Sequence, residues 1–166
     1  MRIIAIDPGY DRMGVAIMEG NAIKPTLIYS ECVVTNRKDS SEKRLWAIAD
    51  KLDSLIKKYK PDLMAIESLF FSVNQKTAIG VAEARGIIMM EAGRNKLEVV
   101  SLNPNTVKVA VTGYGASNKK AVTDMVKRLV ETKENVEHDD EYDAIAIGIA
   151  TLAIHKNRDS KFKIQE

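Results

Sequence analysis

Two short apolar runs each end on an acid: Ile3-Ile4-Ala5-Ile6 leads into Asp7, and Leu63-Met64-Ala65-Ile66 leads into Glu67. Both read as short buried strands, with a carboxylate placed where each strand leaves the core. Far along the chain, Asp140 and Asp143 open the apolar stretch Ala144-Ile145-Ala146-Ile147, which reads as a helix. Their i, i+3 spacing puts both on one face of its first turn. If the strand ends meet that helix, four acids converge. Like charges at such range repel, so the cluster is costly unless cations neutralise it, and a divalent-metal site is the natural expectation.

Residues 2–7 and 13–18 form two predicted strands joined by Pro8-Gly9-Tyr10-Asp11, a sequence suited to a tight antiparallel reversal. Residues 27–34 alternate well enough for a third, antiparallel strand. Asp39 and Glu42 fit a capping-box start for a helix whose stripe is Leu45, Ile48, Ala49, Leu52, Leu55, Ile56 and Tyr59. Lys60-Pro61-Asp62 ends it before the strand at 63–67. A second helix over 74–94 carries Ala78, Ile79, Ala82, Ile87 and Met90 as apolar positions, and 98–102 is a fifth strand. Asn103-Pro104 is a helix start, because Asn caps and Pro tolerates the first helical position. Gly113-Tyr114-Gly115 breaks that helix, and Ser117 is the expected cap of the next. The last helix spans about 140–155, followed by a charged tail.

Three meandering strands followed by alternating helices and strands give an α/β, three-layer domain. Strand 4 returning beside strand 1 through a crossover helix is parallel to it, which brings Asp7 and Glu67 together in space. The 166 residues suit one domain, expected over 1–156, with 157–166 a loose charged tail. No apolar run approaches the roughly 20 residues needed to span a bilayer, there is no signal-peptide pattern, and Cys32 is the lone cysteine. A cytoplasmic setting without a membrane follows.

The net charge of +2 does not announce a nucleic-acid partner, but its distribution is informative. Residues 103–133 carry Lys108, Lys119, Lys120, Lys127, Arg128 and Lys133 against two acids, whereas 134–143 carry six acids and no Lys or Arg. Bases that hold phosphates beside acids that hold metal are what a nuclease requires.

The segments Ile6-Asp7-Pro8-Gly9-Tyr10, Ala65-Ile66-Glu67-Ser68-Leu69-Phe70 and Glu83-Ala84-Arg85-Gly86 resemble RuvC-type Holliday junction resolvases. So do Pro104-Asn105-Thr106-Val107-Lys108, the stretch Gly113-Tyr114-Gly115-Ala116-Ser117-Asn118-Lys119-Lys120, and Asp140-Glu141-Tyr142-Asp143-Ala144-Ile145-Ala146. The matches occur in family order over about residues 1–155. The resemblance implies an RNase H-like fold, a five-stranded mixed sheet flanked by helices, in a twofold homodimer. It implies an endonuclease that cuts four-way DNA junctions with Mg2+, two ions per site, or Mn2+ in its place. A RuvAB-type branch-migration complex is the expected partner. The family's four acidic positions fall on Asp7, Glu67, Asp140 and Asp143, with Asp139 a competing neighbour that the two-residue gap to Asp143 disfavours. Lys108, Lys119 and Lys120 match basic positions toward DNA, Lys119 in a first helical turn where a phosphate is attracted. Phe70 matches the aromatic that stacks on a base at the crossover, and Val73 stands where the family often has Lys.

The acids alone also permit an RNase H-like nuclease acting on RNA–DNA hybrids. Ile6-Asp7-Pro8-Gly9 resembles the first phosphate loop of actin and sugar-kinase folds, but those need two such domains. A module that binds junctions without cutting them gains nothing from carboxylates facing phosphates.

Overall fold

The computed structural model describes residues 1–68, 75–132 and 136–161, with side chains over 1–68, 78–132 and 136–155. Along the chain run β1 (Arg2–Asp7), β2 (Arg12–Gly20), β3 (Pro25–Val34), α1 (Ser41–Tyr59), β4 (Leu63–Glu67), α2 (Gln75–Arg94), β5 (Glu98–Leu102), α3 (Pro104–Thr112), α4 (Lys119–Leu129) and α5 (Asp139–Lys161). The strands form one sheet in the order β3-β2-β1-β4-β5. β1 pairs antiparallel with β2 and parallel with β4, and β5 extends the parallel half. The α1 crossover therefore returns β4 beside β1, as the apolar runs require.

Period-two alternation splits each strand between two cores. Ile4, Ile6, Val15, Ile17, Met64 and Ile66 pack beneath α1 and α2, against Ile48, Leu52, Ile56 and Ile88. Ile3, Ala5, Ala16, Met18, Leu63 and Ala65 face α3, α4 and α5. Each fully buried isoleucine contributes about 1.5–3 kcal/mol, and β1 is covered on both faces, which is why its sequence is continuously apolar. The small residues on the α5 side admit close approach: a Cβ on Gly148 would lie 2.5 Å from Met18 Cγ.

Several local expectations shift. Helix α1 starts at Ser41 with Ser40 as its N-cap, and the Asp39–Glu42 box does not form. The Ser40 hydroxyl donates to Glu42 in place of accepting from a backbone N–H. At α4 the cap is Asn118, which accepts from the Ala121 N–H at 2.9 Å, because the Ser117 hydroxyl is taken by Thr112 Oγ1 at 2.8 Å. The Asn103-Pro104 start of α3 holds, with Asn103 accepting from the Thr106 N–H. Helix α5 continues past His155 to Lys161. On α2 the buried face is Ala84, Ile88, Glu91 and Ala92, whereas Ile79 is 72% and Met90 46% exposed. Its apolar residues are too numerous for one stripe, so periodicity alone does not select the buried set.

Candidate active site at the strand ends

Asp7 is the last residue of β1 and pairs in register with Gly14 of β2. The β1–β4 ladder runs to Ile6↔Ile66, so Asp7 and Glu67 are the next residues on adjacent parallel strands. The first turn of α5 comes down on the same edge. Glu141 is buried and accepts from the Ser30 hydroxyl of β3, and Tyr142 is buried beside it. Those two anchors set the rotation of α5, so Asp140 and Asp143 are turned toward the strand ends.

Close approach is permitted by Gly14, where a Cβ would lie 1.9 Å from the Asp140 carbonyl oxygen. Gly14→Ala must therefore displace the start of α5. Overpacking of this kind costs about 1–3 kcal/mol, and each kcal/mol is worth about 2–4 °C in a chain of this size. Thermal melting should show a drop of several degrees; an unchanged midpoint would contradict this packing.

The carboxylates perturb one another. Asp7 keeps some accessible surface, yet its carboxyl is enclosed by protein. Burial raises its pKa well above the usual range, and Glu67, Asp143 and Asp140 add to the rise against the opposing charge of Lys119. Burial, then Asp143, raises Glu67, with Lys119 and Lys108 opposing. Asp143 is also raised, chiefly by burial, even though Lys119 hydrogen-bonds it. Asp139 goes the other way: it is about half exposed and held low by Lys119. Asp140 is among the charges that raise Asp7. Asp140 is the more enclosed of the two, its side chain 18% exposed against 52% for Asp139.

Lys119, at the first position of α4, lies 2.6 Å from Asp139 Oδ2 and 2.7 Å from Asp143 Oδ2. Partial burial works against its charge, but the two carboxylates outweigh that and raise its pKa. With Lys108, Glu67 and Asp143 it lines a cavity of about 210 Å3. Lys120 is not brought to the acids, since its ammonium pairs with Asp124 one turn along α4 at 2.8 Å. Phe70 and Val73 lie outside the described residues.

Sequence reasoning missed two arginines. Arg12 opens β2, with Nε 3.2 Å from Asp140 Oδ2, Nη2 3.9 Å from Asp139 and Nη1 3.4 Å from His138 Nδ1. The Arg12–Asp140 contact lacks hydrogen-bond alignment, so the buried Asp140 Oδ2 has no donor. Arg12 also lines a groove of about 790 Å3 with Tyr10, Arg37 and Arg44 on the far side of Asp140. Arg85 of α2 donates to the Glu67 carbonyl at 2.7 Å and to Ser101 Oγ at 3.1 Å. A single Arg at a strand start carries no periodic signal. Arg85 stood inside a recognisable segment without a role.

Among the described residues no three His, Cys, Asp or Glu side chains are gathered into a ready-made metal cage. What the site has instead is an excess of hard oxygen donors, three carboxyls driven toward protonation by burial and mutual repulsion, and a buried carboxylate oxygen without a donor. That donor set fits a hard divalent cation.

A family model described as crossover junction endodeoxyribonuclease RuvC matches residues 3–151. The chain is 40% identical over 152 residues to the protein of that name from Fusobacterium nucleatum subsp. nucleatum, covering 92% of this chain and 80% of the relative. It is 43% identical over 150 residues to the one from Brachyspira hyodysenteriae, covering 90% and 92%. Among solved structures, Thermus thermophilus RuvC in complex with Holliday junction substrate superposes with a TM-score of 0.89 at 26% identity, over 95% of this chain and 96% of that one. The mixed five-stranded sheet with its flanking helices is thus the RNase H-like resolvase fold.

Proposed function

The chain belongs to the RuvC family of crossover junction endodeoxyribonucleases, and from that premise we propose that it resolves four-way DNA junctions by paired symmetric nicks at the acid cluster. The observation that carries this reading is the convergence of Asp7, Glu67, Asp140 and Asp143 at one sheet edge with their charges only partly offset.

These four carboxylates are assigned as holders of two divalent ions, Mg2+ or Mn2+ in its place. When bound, such ions supply Lewis-acid stabilisation of the phosphate and an activated water. Asp7, which feels the other three acids, is the residue best placed to be shared between two ions. Lys119 and Lys108, on the wall of the same cavity, are assigned to the scissile phosphate, where an ammonium in a partly dry site offsets developing charge. Lys120 belongs to backbone contacts further out, and Phe70 to stacking on an unpaired base near the crossover, worth about 1–3 kcal/mol per base. The products are a 3′-hydroxyl and a ligatable 5′-phosphate.

Paired nicks call for two sites, and a homodimer supplies them. The outward face of α2 is apolar and small: Ile79 and Met90 are exposed, with Gly86 and Gly93 between and beyond them having open space where a Cβ would be. Trp46 of α1 is 72% exposed. We assign the dimer contact to α2. Ile79→Glu with Met90→Glu should give a monomer by sedimentation; a persisting dimer would move the interface elsewhere. A RuvAB-type complex is the proposed source of migrating junctions, in the cytoplasm. No helix among the described residues is long and apolar enough to cross a membrane.

A substrate panel tests the reading. With Mg2+, a synthetic four-way junction should be cut at least tenfold faster than an RNA–DNA hybrid or linear duplex of the same sequence. Preferential cutting of the hybrid would overturn it.

A further inference from the structure

Glu67 is the last residue of β4. The β1–β4 ladder ends at Ile6↔Ile66, one residue before the acid, and β1 runs on into Asp7 and Pro8, the latter with no N–H to offer the Glu67 carbonyl. On the other side Glu67 is still in register with Leu102 of β5, and the next N–H, of Ser68, donates to the Leu102 carbonyl at 2.7 Å. The Glu67 carbonyl takes a side-chain donor. It accepts from Arg85 Nη1 at 2.7 Å, while Nη2 of the same guanidinium donates to the Ser101 hydroxyl of β5 at 3.1 Å. Ser101 is the register partner of Ile66. One planar fork therefore spans the ends of β4 and β5. Its base is firm, because the neighbouring Ala84 and the Ile88 one turn on are both fully buried. Among the described residues no carboxylate forms an ion pair with Arg85.

We propose that Arg85 is a positioning residue that holds the backbone of Glu67, and through it the Glu67 carboxylate, in the geometry needed to bind a divalent cation. The proposal rests on the reading of the acid cluster given above. A charge-assisted bond to a carbonyl is roughly twice as strong as a neutral one, and the guanidinium presents both donors in one rigid plane, which a lysine cannot. Metal ligands must be held within about 0.5 Å of their productive position, and loss of an outer support typically costs 10–100-fold in metal affinity or activity.

The test is a calorimetric Mn2+ titration of the full-length protein in parallel with single-turnover junction cleavage, for wild type, Arg85→Met, Arg85→Lys and Ser101→Ala. Arg85→Met should weaken Mn2+ binding about tenfold or more and slow cleavage by about 10–100-fold, with junction affinity measured in EDTA within about twofold of wild type. Arg85→Lys, which keeps a donor but not the fork, should recover part of the Mn2+ affinity. Ser101→Ala should lose no more than about threefold. If Arg85→Met is unstable, the Lys variant carries the same comparison, and the rise in melting temperature on adding Mn2+ replaces the calorimetric reading. Unchanged Mn2+ affinity with weakened junction binding would make Arg85 a phosphate contact and overturn the proposal. An Arg85→Lys variant as impaired as Arg85→Met would equally overturn the role of the donor. Failure of the wild type itself to bind Mn2+ would overturn the reading of the cluster along with this inference. Wild-type binding with an unaffected Arg85→Met would overturn this inference alone.

Discussion

Asp7→Asn is expected to abolish junction cleavage, by at least about a thousandfold, while making the metal-free protein more resistant to heat. The loss is equivalent to about 4 kcal/mol of transition-state stabilisation and follows from removing the carboxylate on which the charges of the other three acids act. The gain follows from linkage. In the folded protein the pKa values of Asp7, Glu67 and Asp143 are raised, so the native state binds protons more tightly than the unfolded chain does. Their contribution to stability is present below the unfolded carboxylate range, about 4, and is lost as pH rises through the raised native values. Above those raised values and without cations the fold carries the repulsion, and an amide at position 7 relieves it. Melting in EDTA at neutral pH should rise by several degrees, and the gain should shrink on acidification. Asp143→Asn should gain less, since Asp143 already has Lys119 at 2.7 Å. Junction binding by each variant should stay within a few-fold of wild type. A lower melting temperature for Asp7→Asn in EDTA, or retained cutting, would contradict this account.

Lys119→Met is expected to slow cleavage by about 100- to 1,000-fold, the range found when a preorganised charge partner of a transition state is deleted. A second effect should run in the opposite direction. Lys119 is the cation already seated between Asp139 and Asp143, so it competes with a divalent ion for Asp143. Without it the half-saturating Mg2+ concentration should fall even as the maximal rate collapses. The metal-free variant should also melt lower, because two carboxylates lose the ammonium they share and removing one partner of a part-buried pair is costly. Single-turnover rates across an Mg2+ titration separate these effects. A higher Mg2+ requirement with an intact maximal rate would reassign Lys119 to metal-site support alone.

Much of the architecture was legible because it rests on patterns the chain repeats locally. Continuous apolar residues in β1 and β4 could only be strands covered on both faces, and a right-handed crossover between them sets Asp7 and Glu67 side by side. The i, i+3 spacing of Asp140 and Asp143 carried their shared face. The two-residue gap to Asp143 favoured Asp140 over its neighbour Asp139, and Asp140 is also the less exposed of the two. Where two candidates competed for one local role, the sequence misled. Ser117 and Asn118 can both cap α4, and the choice depended on Thr112 engaging the serine hydroxyl. The exposed apolar face of α2 was indistinguishable from a buried one, since periodicity reports a stripe and not what covers it. Arg12 and Arg85 were invisible for a different reason. Each acts across a long sequence separation, and nothing near it in the chain marks the carboxylate or carbonyl it meets.

Four-way junctions with each strand end-labelled in turn, incubated with the protein with and without Mg2+ and then treated with ligase, test the central claim most directly. The account predicts two nicks at symmetry-related positions in strands of like polarity, only when Mg2+ is present, and both sealed by the ligase. Cutting that persists in EDTA, or breaks that fall at unrelated positions and resist ligation, would contradict it.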